Sequence, residues 1–92
     1  MPTVKVTFKF TPSSPTLRYT AYVDDSPLAI TNGNASAMLE QNEEHILSWW
    51  MWGNGGDKLD MTANNGSKDI LTKSSAIPAT KQKAAGYGRM KP

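Results

Sequence analysis

All three tryptophans of the chain lie within four consecutive residues, 49–52, directly before a Gly-Asn-Gly-Gly-Asp turn. In a β-strand, successive side chains point to opposite faces of the sheet. One face of such a strand can enter a core, whereas the other needs a partner, because neighbouring tryptophans in water form an apolar patch. One face of the predicted strand carries Leu47, Trp49 and Met51, and the other carries Ile46, Ser48, Trp50 and Trp52. The sequence leaves open which of these faces is buried.

Short alternating segments separated by turn signals indicate an all-β fold. Residues 3–11 alternate Val and Phe with Thr and Lys, and residues 17–23 alternate in a similar way. Further strands are predicted at residues 28–30, 45–52, 58–63 and 68–72, and residues 35–44 predict either a short strand around residues 37–39 or one helical turn. Six or seven short strands with closely spaced turns are typical of sandwiches and barrels. We expect a small antiparallel β-sandwich of immunoglobulin-like type.

The length of 92 residues corresponds to one domain. We expect residues 1–78 to form the sandwich and residues 79–92 to form a basic tail, in which residues 86–90 either add a last edge strand or stay mobile. Residues 73–92 carry five basic and no acidic side chains, whereas residues 1–72 carry five basic and eight acidic ones. A basic end attracts anionic partners, but it is more often a solvated terminus.

Few residues are available for catalysis. The chain has no cysteine and a single histidine, so no Cys–His pair exists, and a Ser–His–Asp triad would have to use His45. His45 follows Glu43 and Glu44, and we interpret it as a partly exposed polar residue at the start of a strand. Residues 53–59 partly match one calcium-binding nonapeptide repeat, but a single copy is more typical of a glycine-rich hairpin loop. We therefore expect a non-enzymatic protein with no cofactor and no metal site.

The N-terminal residues and the length of the apolar runs bear on localisation. Residues 1–6 alternate at once and contain no apolar signal segment. No apolar run approaches the length of about 20 residues that a membrane-spanning helix needs. We expect a protein without a membrane span that is cytoplasmic, exported without a leader, or already processed; the compartment is left open.

Trp50 and Trp52 carry the functional hypothesis. Two tryptophans on one strand face lie about 7 Å apart and can stack against sugar rings. Asn54 and Asp57 in the following turn are candidates for hydrogen bonds to sugar hydroxyls, and Tyr22 is a candidate to extend the aromatic surface. We therefore expect a carbohydrate-binding module; the competing interpretation is that Trp50 and Trp52 form the core.

The alternative function is protein–protein interaction, as in an inhibitor, an immunity-type protein or a subunit of an assembly. Tryptophan is favoured at interface hot spots, and an exposed edge strand, for which residues 3–10 are the candidate, can pair with a partner. Nucleic acid is disfavoured as a partner, because residues 1–72 carry a net negative charge. The oligomeric state is left open.

A Val-Asp-Asp turn at residues 23–25 and a His-x-Leu-x-Trp strand at residues 45–49 are spaced in a way that resembles small bacterial surface-layer and PEGA-type β-domains. Glu44 stands where those domains have a glycine before the histidine. The resemblance covers about a third of the chain and implies a β-domain; no site residue is transferred from it.

Overall fold

Eight β-strands make up the regular secondary structure of residues 2–92, the part of the chain that the computed structural model describes. Their bounds are β1 Thr3–Pro12, β2 Arg18–Val23, β3 Ser26–Pro27, β4 Asn34–Glu40, β5 His45–Trp52, β6 Lys58–Asn64, β7 Asp69–Ala76 and β8 Lys83–Met90. No element within this described range is a helix with the length and apolarity needed to cross a membrane. The chain is therefore all-β, as predicted.

The strands form two antiparallel sheets of four strands each. The first sheet has the order β4-β1-β6-β7 and the second has the order β3-β2-β5-β8. Strand β1 is hydrogen-bonded to β4 on one side and to β6 on the other. The prediction that residues 3–10 form an exposed edge strand is therefore wrong. The alternation of that segment identifies a strand with one buried face, but it does not distinguish a central strand from an edge strand.

One hydrophobic core contains the inward-facing residues of both sheets. Val6, Phe8 and Phe10 of β1 contribute to it from the first sheet, as their alternation with Thr and Lys predicts. Leu47 and Met51 of β5 are fully buried from the second sheet. Because one face of each sheet enters this core, the other face of each sheet is directed towards solvent.

Several predicted strand bounds differ from those of the structure. Residues 28–30 do not form the predicted strand; the two-residue strand β3 lies just before them and pairs with the end of β2. Residues 35–44 contain strand β4 and not the helical turn, because pairing along β1 overrides the helix preference of this segment. The predicted strand at residues 68–72 is longer and continues to Ala76. The total of eight strands is one or two more than predicted.

Two tight turns use backbone conformations with positive φ. Asp24 and Asp25 join β2 to β3 with φ values of 49° and 69°, and Asn32 and Gly33 turn the chain before β4 with values of 52° and 79°. Positive φ at both central residues defines the hairpin turns that match the twist of paired strands. The Asn-Gly signal at residues 32–33 is confirmed as such a turn.

Strand β8 pairs with β5 from one end to the other, from Lys83 opposite Trp52 to Met90 opposite His45. Residues 83–90 therefore form the edge strand that the sequence left open. Its inward positions are small or apolar, namely Ala84, Gly86, Gly88 and Met90. A side chain at Gly88 would come within 3.1 Å of Leu71 on β7, so a glycine at this position lets the edges of the two sheets approach.

Candidate ligand-binding face

Trp50 and Trp52 lie on the outward side of the second sheet, and Trp49 lies in the core. Trp49 is 4% exposed, whereas Trp50 is 49% exposed and Trp52 is 41% exposed. We call this outward side the tryptophan face. It consists of Arg18, Thr20 and Tyr22 on β2, Ile46, Ser48, Trp50 and Trp52 on β5, and Lys83, Ala85, Tyr87 and Arg89 on β8.

Packing against β8 explains why Trp49 is the buried member of the run. Trp49 pairs with Gly86, and a Cβ atom added to Gly86 would lie 2.7 Å from the indole ring. The indole therefore occupies space that a side chain on β8 would otherwise need. Because side chains alternate along a strand, burial of Trp49 directs both Trp50 and Trp52 outwards.

The strand register arranges the tryptophan face in rows. Trp52 lies between Arg18 of β2 and Lys83 of β8, and Trp50 lies between Thr20 and Ala85. The two tryptophans are two residues apart on one strand, which corresponds to about 7 Å. The arrangement gives two exposed aromatic rings in line on a central strand.

Tyr22 and Tyr87 extend the aromatic surface beyond Trp50. Both pair with Ser48, Tyr22 from β2 and Tyr87 from β8. Tyr22 is half-buried, whereas Tyr87 is 63% exposed. Tyr87 is not among the residues predicted from the sequence for this site, because the inward positions of its strand are mainly glycine and alanine and give only a weak alternating signal.

Open clefts flank Trp52 on both sides. One, of about 610 Å³, is lined by Arg18, Tyr19, Thr20 and Trp52. The other, of about 680 Å³, is lined by Trp52, the following Gly53 and the segment of residues 80–83 that leads into β8. Trp52 therefore lies between two open clefts and lines both of them.

Asn54 and Asp57 lie in the turn between β5 and β6, not on the tryptophan face itself. The Asn54 amide donates a hydrogen bond to Asp57 Oδ2 at 3.0 Å, and the Asp57 amide donates one to the Asn54 carbonyl oxygen at 3.0 Å. The Ile77 amide donates to the Asp57 carbonyl oxygen. These bonds give Asp57 a role in holding the turn, while the exposed Asn54 side chain follows Trp52 closely in the chain. Their participation in ligand binding stays a prediction.

His45 is buried, and its interpretation as a partly exposed residue is wrong. Its side chain contacts Asp24 through Nδ1 and Oδ2 at 2.6 Å and the Glu40 carbonyl oxygen through Nε2 at 3.1 Å. The Ile46 amide donates to the other Asp24 oxygen at 3.0 Å. The parity of His45 with Leu47 along β5 was the sequence signal for an inward position. With both ring nitrogens engaged, His45 joins the turn after β2 to the turn between β4 and β5 and has no free nitrogen to act as a base.

The environment of this pair changes both pKa values. Burial by itself lowers the pKa of His45, but the hydrogen bonds to Asp24 and Glu40 and the Asp24 charge outweigh it, so the pKa is raised. Burial by itself raises the pKa of Asp24, but the hydrogen bonds from His45 and the Ile46 amide and the His45 charge outweigh it, so the pKa is lowered. Both effects favour the ion pair, because only the protonated ring can donate to two acceptors at once.

Within residues 2–92, no group of three or more histidine, aspartate or glutamate side chains lies close enough to hold a metal ion. The chain matches no protein-family model, no curated protein and no solved structure, so its resemblance to surface-layer and PEGA-type β-domains stays an expectation.

Proposed function

We propose that the protein is a non-enzymatic module that binds carbohydrate on the tryptophan face. The observation that carries this proposal is the outward placement of Trp50 and Trp52 in line on a central strand, about half exposed, while the other face of the strand already fills the core. Flat aromatic rings suit the apolar faces of sugar rings, and nearby Thr20 and Ser48 offer hydroxyl groups to the sugar hydroxyls.

We further propose that the two sheets form an immunoglobulin-like sandwich. In that fold, strands B and E lie in one sheet and strands C, F and G in the other. Strands β1 and β4 of this protein pair as B and E would, and β2, β5 and β8 lie side by side as C, F and G would. Strands β6 and β7 occupy the side of β1 where strand A would lie. What supports the assignment is this shared order of five strands.

Fluorescence with a panel of soluble glycans tests the binding function. Trp50 and Trp52 are expected to emit at long wavelength and to be quenched by acrylamide, whereas buried Trp49 is expected to emit at short wavelength. A bound glycan should protect the exposed pair from the quencher. If no glycan in the panel changes the emission or its quenching, the carbohydrate proposal is refuted.

The matched variants separate binding from folding. Trp50→Ala combined with Trp52→Ala should keep the far-UV circular dichroism spectrum and lose glycan binding, with each substitution weakening binding by about tenfold. Met38→Ala is the control, because Met38 is an exposed apolar residue, 62% accessible, on the other sheet. Equal affinity of the double variant and the control would remove the tryptophan face as the site.

Protein interaction through β4 is the second candidate function. Strand β4 is a seven-residue edge strand that pairs only with β1. A groove of about 520 Å³ runs beside it, lined in part by Leu28, Met38 and Leu39. Unpaired backbone groups next to an apolar groove suit the addition of a partner's strand. Met38→Lys should abolish capture of a specific partner from cell extract if this edge is used, and a wild-type protein that captures none counts against the candidate.

A further inference from the structure

Positive charge is concentrated around Trp52. Arg18 and Lys83 are the cross-strand neighbours of Trp52 on its two sides, and cross-strand neighbours have Cβ atoms about 5 Å apart. Lys81 and Lys83 both line one of the clefts beside Trp52, and Arg18 lines the other. Trp52 therefore has a cationic residue beside it on each of the two neighbouring strands.

Acidic side chains do not neutralise this charge. None of the outward positions of β2, β5 and β8 holds an acidic residue. Neither Arg18 nor Lys83 forms an ion pair with another described residue, whereas Arg89, at the far end of the face, lies 3.9 Å from Glu44. The cations at Trp52 are thus available to a ligand.

Five of the eight acidic residues lie at the opposite end of the second sheet. Asp24 and Asp25 form the turn after β2, and residues 40–44 before β5 include three glutamates. Trp52 ends β5 about 23 Å from His45, which begins it. At this separation the acidic end is screened from Trp52 at ordinary salt concentrations. Asp57, in the turn after β5, lies nearer to Trp52, and its Oδ2 accepts a hydrogen bond from the Asn54 amide. Basic residues still outnumber acidic ones around Trp52, in contrast to residues 1–72 as a whole.

We propose that the ligand of the tryptophan face is an acidic glycan, with a sugar ring stacked on Trp52 and a carboxylate or sulfate group bound by Arg18 or Lys83. The inference rests on the proposed carbohydrate function and adds the charge of the ligand to it. Single-stranded nucleic acid also combines stacking with anionic groups, so it is included in the test as the competing outcome. The rows of Trp50 and Ser48 are uncharged, so the cationic contacts are limited to the Trp52 end of the face.

The test compares four probes by isothermal titration calorimetry: an oligogalacturonate hexamer, a sulfated heparin hexasaccharide, neutral cellohexaose and an oligothymidylate of similar length. At least one acidic hexamer is expected to bind about tenfold more tightly than cellohexaose, and added salt should remove the difference. The hexamer that binds shows whether the anionic group is a carboxylate or a sulfate.

Two charge variants provide the control. Arg18→Gln with Lys83→Gln should weaken binding of the acidic hexamer by about tenfold and leave cellohexaose binding unchanged. Lys5→Gln with Lys9→Gln removes the same charge from exposed positions of β1 on the other sheet and should have no effect. If both double variants weaken binding equally, the attraction comes from net charge and the inference is overturned.

The remaining outcomes distinguish this inference from the function on which it rests. If cellohexaose binds as tightly as the acidic hexamers, the inference is overturned and the carbohydrate function stands. If only the oligothymidylate binds, or if no probe binds, both are overturned. Intact far-UV circular dichroism spectra of the variants exclude unfolding as the cause of any loss.

Discussion

Removal of each tryptophan in turn tests the face assignment on which the site depends. Trp49→Ala, Trp50→Ala and Trp52→Ala remove the same side chain from adjacent positions of one strand. The structure places the first in the core at 4% exposure and the other two at the surface at 49% and 41%. We expect Trp49→Ala to lower the free energy of unfolding far more than either of the other two substitutions.

The expected magnitudes follow from burial and from the cavity that is left. A fully buried tryptophan replaced by alanine costs about 3–5 kcal/mol, because the lost transfer energy adds to the cost of the cavity. Gly86 faces the indole and has no side chain to move into the space, so we expect the upper part of that range. A half-exposed tryptophan loses only about half of its buried area and leaves no closed cavity, which corresponds to about 1–2 kcal/mol.

Urea unfolding followed by far-UV circular dichroism is the suitable assay. Fluorescence is unsuitable here because the substituted residues are the fluorophores. Linear extrapolation gives the free energy of unfolding for each variant, and a common slope shows that the denatured states are comparable. A domain of this size has about 5–14 kcal/mol to lose, so Trp49→Phe is the fallback if Trp49→Ala does not fold. A cost for Trp50→Ala or Trp52→Ala equal to that of Trp49→Ala would refute the outward placement of the pair.

Three further predictions concern the rest of the fold. Gly86→Ala should cost about 1–3 kcal/mol in the same urea assay, because its Cβ atom would lie 2.7 Å from the Trp49 indole; an unchanged midpoint contradicts that packing. Gly33→Ala should cost about 1–2 kcal/mol, since its φ is +79° and its Cβ atom would lie 2.6 Å from a carbonyl oxygen of β1. Asn32→Ala is the control variant, because residue 32 also has a positive φ, 52°, but does not make that contact. Asp24→Asn should cost about 1 kcal/mol, mainly between about pH 4 and 6.5. The raised pKa of His45 stabilises the fold below about pH 6.5, and this contribution is lost as the pH rises through the pKa of His45 in the folded protein. The lowered pKa of Asp24 stabilises the fold above about pH 3.9, and this contribution is lost as the pH falls through the pKa of Asp24 in the folded protein. A cost independent of pH would exclude the ion pair.

The alternating segments of the sequence predicted the strands with large apolar residues on one side. Strands β1, β2, β5 and β6 were identified in this way, because Val, Phe, Leu and Met at every second position require one buried face. Strand β8 was left open, because its inward positions are filled mainly by glycine and alanine. Its burial depends on Trp49 from the neighbouring strand, and a pattern within one segment does not contain that information.

Which strands pair with each other could not be predicted from the sequence either. Alternation describes the two faces of a strand, whereas pairing depends on its two edges, which are backbone groups common to all residues. For this reason β1 was mistaken for an edge strand. The same limit applies to His45, whose buried position is compatible with its charge only because Asp24, 21 residues away in the chain, meets it.

The candidate site follows from the core in one physical step. Trp49 and Trp50 are adjacent, so a shift of the strand by one residue would exchange the tryptophan that is buried with the pair that is exposed. Two features fix the register: Gly86 provides the space for a single indole, and His45 is inward only where Asp24 can pair with it. Residues that never touch a ligand therefore determine that Trp50 and Trp52 face solvent between Arg18 and Lys83. Substitutions at Gly86 or Asp24 should therefore weaken glycan binding, because they disturb the register of β5. Both positions lie outside the tryptophan face.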